Sequence, residues 1–167
     1  PERVDETSIR EEWGVDRSTI VIGIVGRLDQ AKGQSTFIRA AASLLGDTQD
    51  KAKRKKLKFV VVGEDTRGQK QSYMEVLKAL VAQFHLEDDV IFTGYREDVP
   101  QVMKALDIFV MPSRQEAFGL VAIEAMAMGC PVVISSGGSA SEIVGEQAFG
   151  LLVRPDDAFD LRHQLQY

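Results

Sequence analysis

A chain of 167 residues, 44% hydrophobic and 27% charged, has the size and composition of one well-buried globular domain and falls short of two full ones. Its net charge of -5 and pI near 5.1 exclude a general nucleic-acid binder, which meets phosphates with a basic surface, so any anionic ligand must be met locally. No apolar run crosses a bilayer, because the longest, from Gly119 to Ile134, is interrupted by Glu124, Gly129 and Pro131.

The chain opens on Pro1 rather than methionine, which implies residues upstream in a longer protein. Trp13 is expected to pack an N-terminal helical turn onto a sheet. Six short apolar runs rich in β-branched residues read as strands: Ile20 to Val25, Leu57 to Val62, Val90 to Thr93, Ile108 to Met111, Pro131 to Ser135 and Gly150 to Val153. Helical patterns alternate with them. Ser35 to Leu45 comes first, then Gln69 to Phe84, where Tyr73, Val76, Leu77, Leu80, Val81 and Phe84 recur at three- and four-residue steps. Asp98 to Leu106, Leu120 to Met128, Ala140 to Val144 and Ala158 to Gln166 follow. The basic block Lys51 to Lys58 reads as a solvated connection, with an anionic membrane or partner surface as its alternative. Cys130, the single cysteine, excludes an internal disulfide framework; it reads as a small buried residue and is compatible with a reducing cytoplasm.

Continuous apolar strands, each followed by a helix, predict an α/β, Rossmann-like, mainly parallel sheet with helices on both faces. In such sheets ligands bind beyond the carboxyl ends of the strands. The loops after Val25, Val62, Thr93, Met111 and Ser135 are therefore the informative ones.

The first of these runs Gly26-Arg27-Leu28-Asp29-Gln30-Ala31-Lys32-Gly33. Gly26 lets a ligand approach the backbone, while the planar fork of Arg27 and the point charge of Lys32 suit diphosphate oxygens. A surface loop with two solvated cations reads equally well from these residues alone. Dinucleotide and P-loop motifs do not fit: Gly23 and Gly26 lack the Gly-x-Gly spacing, and Lys32-Gly33-Gln34 inverts the order a Walker loop needs.

The loop after Met111 leads through Glu116-Ala117-Phe118-Gly119-Leu120 to Glu124. A helix starting near Gly119 or Leu120 offers unpaired N–H groups and the positive end of its dipole to an anion. Glu124 then lies one turn further, about 6 Å along the axis, which is the reach from a terminal phosphate to a ribose. Glu116, before the helix, faces the group attached to the phosphate. The order of these groups fits a nucleotide diphosphate carrying a sugar; the alternative is a loop charge and an exposed helix charge. His85 and His163 read as structural. Asp88-Asp89 and Asp156-Asp157 sit at turn-like junctions where aspartate is common, and no metal is required.

These motifs together resemble the C-terminal, donor-binding domain of GT-B retaining glycosyltransferases of family GT4, the glycosyl transferases group 1. The resemblance rests on Gly-Arg-x-x-x-x-Lys-Gly at Gly26 to Gly33, Phe59-Val60-Val61-Val62-Gly63, Val90-Ile91-Phe92-Thr93-Gly94-Tyr95, and Glu-x-Phe-Gly-Leu with seven residues between Glu116 and Glu124. It covers about Ile20 to Pro155. One departure stands near the end, where Gly137-Gly138 is followed by three residues, not two, before Glu142-Ile143-Val144.

The resemblance implies that Arg27 and Lys32 bind the donor diphosphate and neutralise the leaving group. It implies that Glu116 and the backbone of Phe118, Gly119 and Leu120 meet the sugar and distal phosphate, and that Glu124 holds the ribose. Gly94, Tyr95 and Arg96 fall beside the nucleobase, and Gly63 lines the same cleft. It further implies retention at the anomeric carbon by same-face attack, with Glu116 positioning the sugar and not acting as a covalent nucleophile. The expected donor is a UDP- or GDP-linked sugar acting as substrate, with no cofactor. The expected acceptor is a glycan or lipid-linked molecule, held mainly by an N-terminal domain absent from this chain. A cytoplasmic enzyme in peripheral contact with the inner membrane face, serving lipopolysaccharide or other polysaccharide assembly, is the corresponding family-level expectation. A nucleotide-sugar-binding module without transfer activity is the alternative.

Overall fold

The computed structural model of the chain describes residues 6–46, 56–65, 72–116, 118–145 and 149–166. Six strands form one sheet in the order β3-β2-β1-β4-β5-β6, and every pairing is parallel. They are β1 (Ile20–Val25), β2 (Leu57–Val62), β3 (Val90–Gly94), β4 (Ile108–Met111), β5 (Val132–Ser135) and β6 (Gly150–Val153). The helices are α1 (Glu6–Glu12), α2 (Gln34–Gly46), α3 (Tyr73–Gln83), α4 (Val99–Ala105), α5 (Leu120–Ala127), α6 (Ala140–Ile143) and α7 (Ala158–Leu165), with a short 3-10 turn at Gln30–Lys32 before α2.

Alternation along the strands divides the core. Ile22, Ile24, Phe59 and Val61 face α2, α3 and α7, packing with Phe37, Ile38, Leu77 and Leu161. Val21, Val25, Val60 and Val62 face the other way, toward Val102 and Met103 of α4 and Ala122 and Ala125 of α5. Both faces of the sheet are thus covered, which is why its strands are apolar over most of their length, with Lys58, Thr93 and Ser135 at or near strand ends. Trp13 is buried in the second of these clusters, behind α1, as its size and position predict. Cys130 is buried there too, and burial pushes its thiol up to about 11.

Strand bounds agree with the apolar runs to within a residue. β5 starts at Val132 because Pro131 has no N–H to give the ladder. α3 begins at Tyr73, where the Ser72 hydroxyl accepts from the Glu75 N–H at 3.2 Å. The expected helix start at Gln69 lies outside the described residues. So do Pro1, Lys51 to Lys55 of the basic block, and Ala117; Lys58 falls within β2. Asp157 caps α7, its carboxylate accepting from the Asp160 N–H at 2.9 Å.

The strand order reverses between β1 and β4, so the loops that follow these two strands diverge to opposite sides and leave a crevice between them. Those are the loops carrying Arg27 and Lys32 on one side and Glu116 on the other.

Candidate functional site

The loops beyond the strand ends are stitched together by backbone hydrogen bonds. The Gly26 N–H donates to Val62 O at 3.0 Å, the Leu28 N–H to Glu64 O at 3.0 Å, and the Gly63 N–H to Gly94 O at 2.9 Å. Gly63 adopts φ 138, and a Cβ there would sit 2.0 Å from Gly26 O, so only glycine lets the two loops meet this closely. Across the crevice the Arg114 N–H donates to Ala31 O at 2.9 Å, fixing the loop after β4 to the turn that carries Lys32.

At this junction the Lys32 ammonium donates to Glu116 Oε2 at 2.7 Å, joining residues 84 positions apart. Glu116 Oε1 accepts from the Gly119 N–H at 3.4 Å. Burial alone raises the Glu116 carboxyl, but the hydrogen bond and charge of Lys32, aided by the Gly119 and Phe118 N–H groups, outweigh it and hold the group below the usual carboxylate range. Glu116, 17% exposed, is therefore an ionised acceptor at neutral pH and not a proton donor. Gly119, left-handed at φ 62, caps the start of α5. The first-turn N–H groups of Leu120 and Val121 lie too early in the helix for an intrahelical acceptor.

A cavity of about 300 Å³ opens over this junction, lined by Gly26, Arg27, Lys32, Glu116, Phe118, Gly119 and Leu120. A second, of about 360 Å³, is lined by Val62, Gly63, Tyr95, Arg96 and Val99. Val25, Gly26 and Arg27 border both, so the two form one groove with Arg27 at its middle. The Arg27 guanidinium is exposed, and its carboxylate neighbour, Asp29, stands off at 3.7 Å.

Most of the residues singled out in the sequence meet in this groove. Gly94 lines neither cavity, but its carbonyl anchors Gly63. Arg96 borders the second cavity, yet its guanidinium is committed to Asp98, at 2.8 and 2.6 Å, and to Glu12 of α1 at 2.5 Å. Hydrogen bonding to Asp98, then to Glu12, holds it more firmly charged than usual. Glu124 is exposed on α5 and lines neither cavity.

Sequence reasoning missed three features. Gln34 and Ser113 are buried in the floor of the first cavity. A brace behind the Glu116 loop joins Arg114 to Asp156 at 2.7 Å, and Asp156 to the Thr36 hydroxyl at 2.5 Å. Asp156 does sit at a turn, with φ 55, and its carboxyl is held low by the Thr36 hydrogen bond and, against some burial, by Arg114. The signals were polar residues directly beside a motif: Ser113 three positions before Glu116, and Gln34 immediately after Lys32-Gly33.

Residues 5–167 match the family model of the glycosyl transferases group 1. The chain belongs to that family. It is 35% identical over 155 residues to the lipopolysaccharide core biosynthesis mannosyltransferase LpsB of Rhizobium meliloti (strain 1021), covering 92% of this chain and 42% of LpsB. Among solved structures, Anabaena Alr3699/HepE in complex with UDP-glucose superposes with a TM-score of 0.85 at 31% identity, covering 99% of this chain and 43% of that one. The C-terminal domain of a group 1 glycosyltransferase (LpcC) from Francisella tularensis gives a TM-score of 0.80 at 31% identity, with 97% and 80% covered. The sheet is thus the Rossmann-like layer of GT-B glycosyltransferases: Rossmann-like as the alternating pattern implies, and of the GT-B kind as the family resemblance implies. The family is one of hexosyltransferase-type enzymes. This chain spans from a third to about two fifths of the lengths of the first three curated relatives, covering 42%, 33% and 37% of them.

Among the described residues, no helix is long and apolar enough to cross a membrane. No group of three or more His, Cys, Asp or Glu side chains among them is placed to hold a metal ion.

Proposed function

We propose that this chain is the donor-binding domain of a retaining glycosyltransferase that uses a UDP-linked sugar. The observation that carries the proposal is the convergence of Lys32, Glu116 and the start of α5 in one cavity, formed by two loops at the reversal of strand order. Breaking the bond between the sugar's anomeric carbon and the diphosphate leaves negative charge on the diphosphate and positive character on the ring. Lys32, Arg27 and the first-turn N–H groups of α5 stand where the negative charge grows, fixed before the reaction starts. Ionised Glu116 accepts hydrogen bonds from the sugar and stabilises the ring's positive character, while same-face attack by the acceptor hydroxyl, whose proton passes to the departing diphosphate, gives retention. The cations this chemistry needs are side chains, so the nucleotide-diphosphate sugar is a substrate and no cofactor is assigned.

The second cavity suits the base. Tyr95 lies at its mouth, 64% exposed and available for stacking. Uracil is favoured over guanine, whose two adjacent N–H groups call for a carboxylate turned into the slot; of the two carboxylates on its wall, Glu64 lies exposed to water at the rim. Asp65, on the wall, already accepts from the Ser72 hydroxyl at 2.5 Å and the Met74 N–H at 3.0 Å. UDP-glucose in the similar Anabaena structure supports the same choice. The acceptor in this reading is a glycan or lipid-linked molecule held by an N-terminal domain outside this chain, and the whole enzyme works in the cytoplasm, with peripheral contact at the inner membrane face when the acceptor is a lipid. The chain by itself binds donor and transfers poorly; a binding module with no transfer at all differs from it only in gaining no activity when the acceptor-binding half is supplied.

Thermal unfolding with UDP, GDP and ADP tests this. A ligand at a hundred times its dissociation constant adds about 2.7 kcal/mol, which for a domain of this size is roughly 5–10 °C. UDP is expected to give the largest shift. A larger shift with GDP would assign guanine to the slot, with Glu64 at its rim as the carboxylate involved. No shift with any of the three would reject the nucleotide reading.

A further inference from the structure

Beneath the Lys32–Glu116 pair lie two buried polar side chains that each keep one atom without a partner. Gln34, at the start of α2, and Ser113, in the loop after β4, are each 1% exposed, and both line the 300 Å³ cavity. The Gln34 Nε2 donates to the Arg27 carbonyl at 2.9 Å. That bond sets which way the amide faces, since the reverse orientation would press one carbonyl oxygen on another. Gln34 Oε1 and Ser113 Oγ have no hydrogen-bond partner and do not bond to each other.

Buried polar atoms are nearly always paired, because desolvating one without compensation is costly. Two such atoms on residues that line one cavity point to a group that arrives from the cavity. A phosphate oxygen is the wrong group: it only accepts, and Gln34 Oε1 only accepts as well, so the two repel. A hydroxyl is the right one, because it donates to Gln34 Oε1 and accepts from the Ser113 hydroxyl. Of the cations of the groove, Arg96 is committed to Asp98 and Glu12, which leaves Arg27 and Lys32 for phosphate, and the apolar slot lies at the opposite end, beyond Gly26. Phosphate and base are provided for elsewhere, and the ribose that joins them stays on the base side of the phosphates, which leaves the transferred sugar as the part of the ligand that carries hydroxyls to this floor.

We propose that Gln34 and Ser113 form a hydroxyl-recognition subsite for the sugar of the donor, and that they contribute to which sugar the site takes. This rests on the nucleotide-sugar reading above. A site that keeps atoms unpaired for a ligand gives up stability in the free protein, so removing one of them separates binding from folding.

The test is calorimetric titration of the chain, unaltered and as Ser113→Ala, with UDP and with UDP-glucose, UDP-galactose and UDP-N-acetylglucosamine, alongside ligand-free melting temperatures. In Ser113→Ala the dissociation constant for UDP is expected to stay within about twofold, while that for the UDP-sugar best bound by the unaltered chain rises about fivefold, the effect of one neutral hydrogen bond. The ligand-free melting temperature is expected to hold or rise. Gln34→Met is expected to raise the same UDP-sugar to UDP ratio, and to weaken UDP as well because the Arg27 carbonyl loses its tether. Equal weakening of UDP and UDP-sugar in Ser113→Ala, an unchanged ratio in either variant, or a ligand-free melting temperature several degrees lower in Ser113→Ala would each overturn the proposal. If the unaltered chain bound no UDP at all, the nucleotide reading would fail first and take this subsite with it; UDP binding with an unchanged ratio would sink the subsite alone.

Discussion

The two ends of the groove are built on opposite principles. At the Lys32–Glu116 end, charges from loops 84 residues apart are paired, partly buried and tied to a helix start. At the Tyr95 end backbone and apolar side chains such as Val62 and Val99 make up much of the wall, Asp65 is bonded to Ser72 and Met74, and the Arg96 guanidinium is committed to Asp98 and to Glu12 of α1. The contrast separates the two tasks the proposed reaction sets. Charge that changes during the reaction needs fixed countercharge close by, whereas a base that does not react needs a surface of the right shape. Substitutions at the first end should therefore reach turnover, and those at the second should reach stability and ground-state binding.

Lys32→Ala sharpens the contrast most. It removes the cation proposed to meet the leaving diphosphate and leaves the Glu116 carboxylate without its ion-pair partner. With the acceptor-binding half present, turnover is expected to fall about 10²–10³-fold, as for loss of one donor to a developing anion, with the fold retained by circular dichroism. Steady-state kinetics at saturating donor separate this from a binding defect. Turnover within threefold of the unaltered enzyme would remove Lys32 from the chemistry and dissolve the distinction between the two ends.

Gly63→Ala strikes the seam between the ends. Its new methyl group would lie 2.0 Å from Gly26 O, in a backbone conformation that disfavours any side chain. The expected cost is about 2–3 kcal/mol from overpacking and strain, or roughly 5–10 °C in melting temperature, with UDP binding weakened because both cavities share Gly26. A melting temperature unchanged within a degree would mean that the two loops do not meet as described.

Much of this was legible beforehand, and the limits have physical causes. The strands could be read because both faces of the sheet are covered, so Ile20 to Val25 stays apolar throughout and Leu57 to Val62 is broken only by Lys58 near its start. The helix bounds were set by details that periodicity does not carry, such as the Ser72 cap before Tyr73. Arg27, Lys32 and Glu116 stood out by spacing, but nothing in that spacing said that lysine and glutamate touch. Arg96 stood out as well, and local sequence could not reveal that Glu12, 84 residues away, holds its guanidinium. Gln34 and Ser113 went unnoticed because a neutral polar residue beside a loop is expected to be solvated; only the packing of the loop after β4 on the turn before α2 buries them.

Arg96→Met tests the opposite end. With its guanidinium 15% exposed and shared between Asp98 and Glu12, the loss is expected to cost about 1–2 kcal/mol by freeing α1, or roughly 3–6 °C in melting temperature, while UDP affinity changes less than twofold. A tenfold loss of UDP affinity without destabilisation would show that the guanidinium turns inward on the ligand, and the base end would then share the charged design of the other.

The smallest effect is expected at Glu124. One turn into α5, it is the right distance from the helix start to meet a ribose, yet it is exposed and borders neither cavity. A carboxylate that water also reaches gains little by exchanging water for a ribose hydroxyl, so Glu124→Gln should weaken UDP only about two- to fivefold, equivalent to about 0.5–1 kcal/mol. Titration with 2′,3′-dideoxy-UDP isolates the contact, because a ligand without those hydroxyls has nothing to lose. If Glu124 holds the ribose, the substitution weakens UDP and leaves the dideoxy ligand unaffected. Equal weakening of both would assign the effect to charge near the phosphates, and no weakening of either would leave Glu124 as a solvated residue on the outer face of α5.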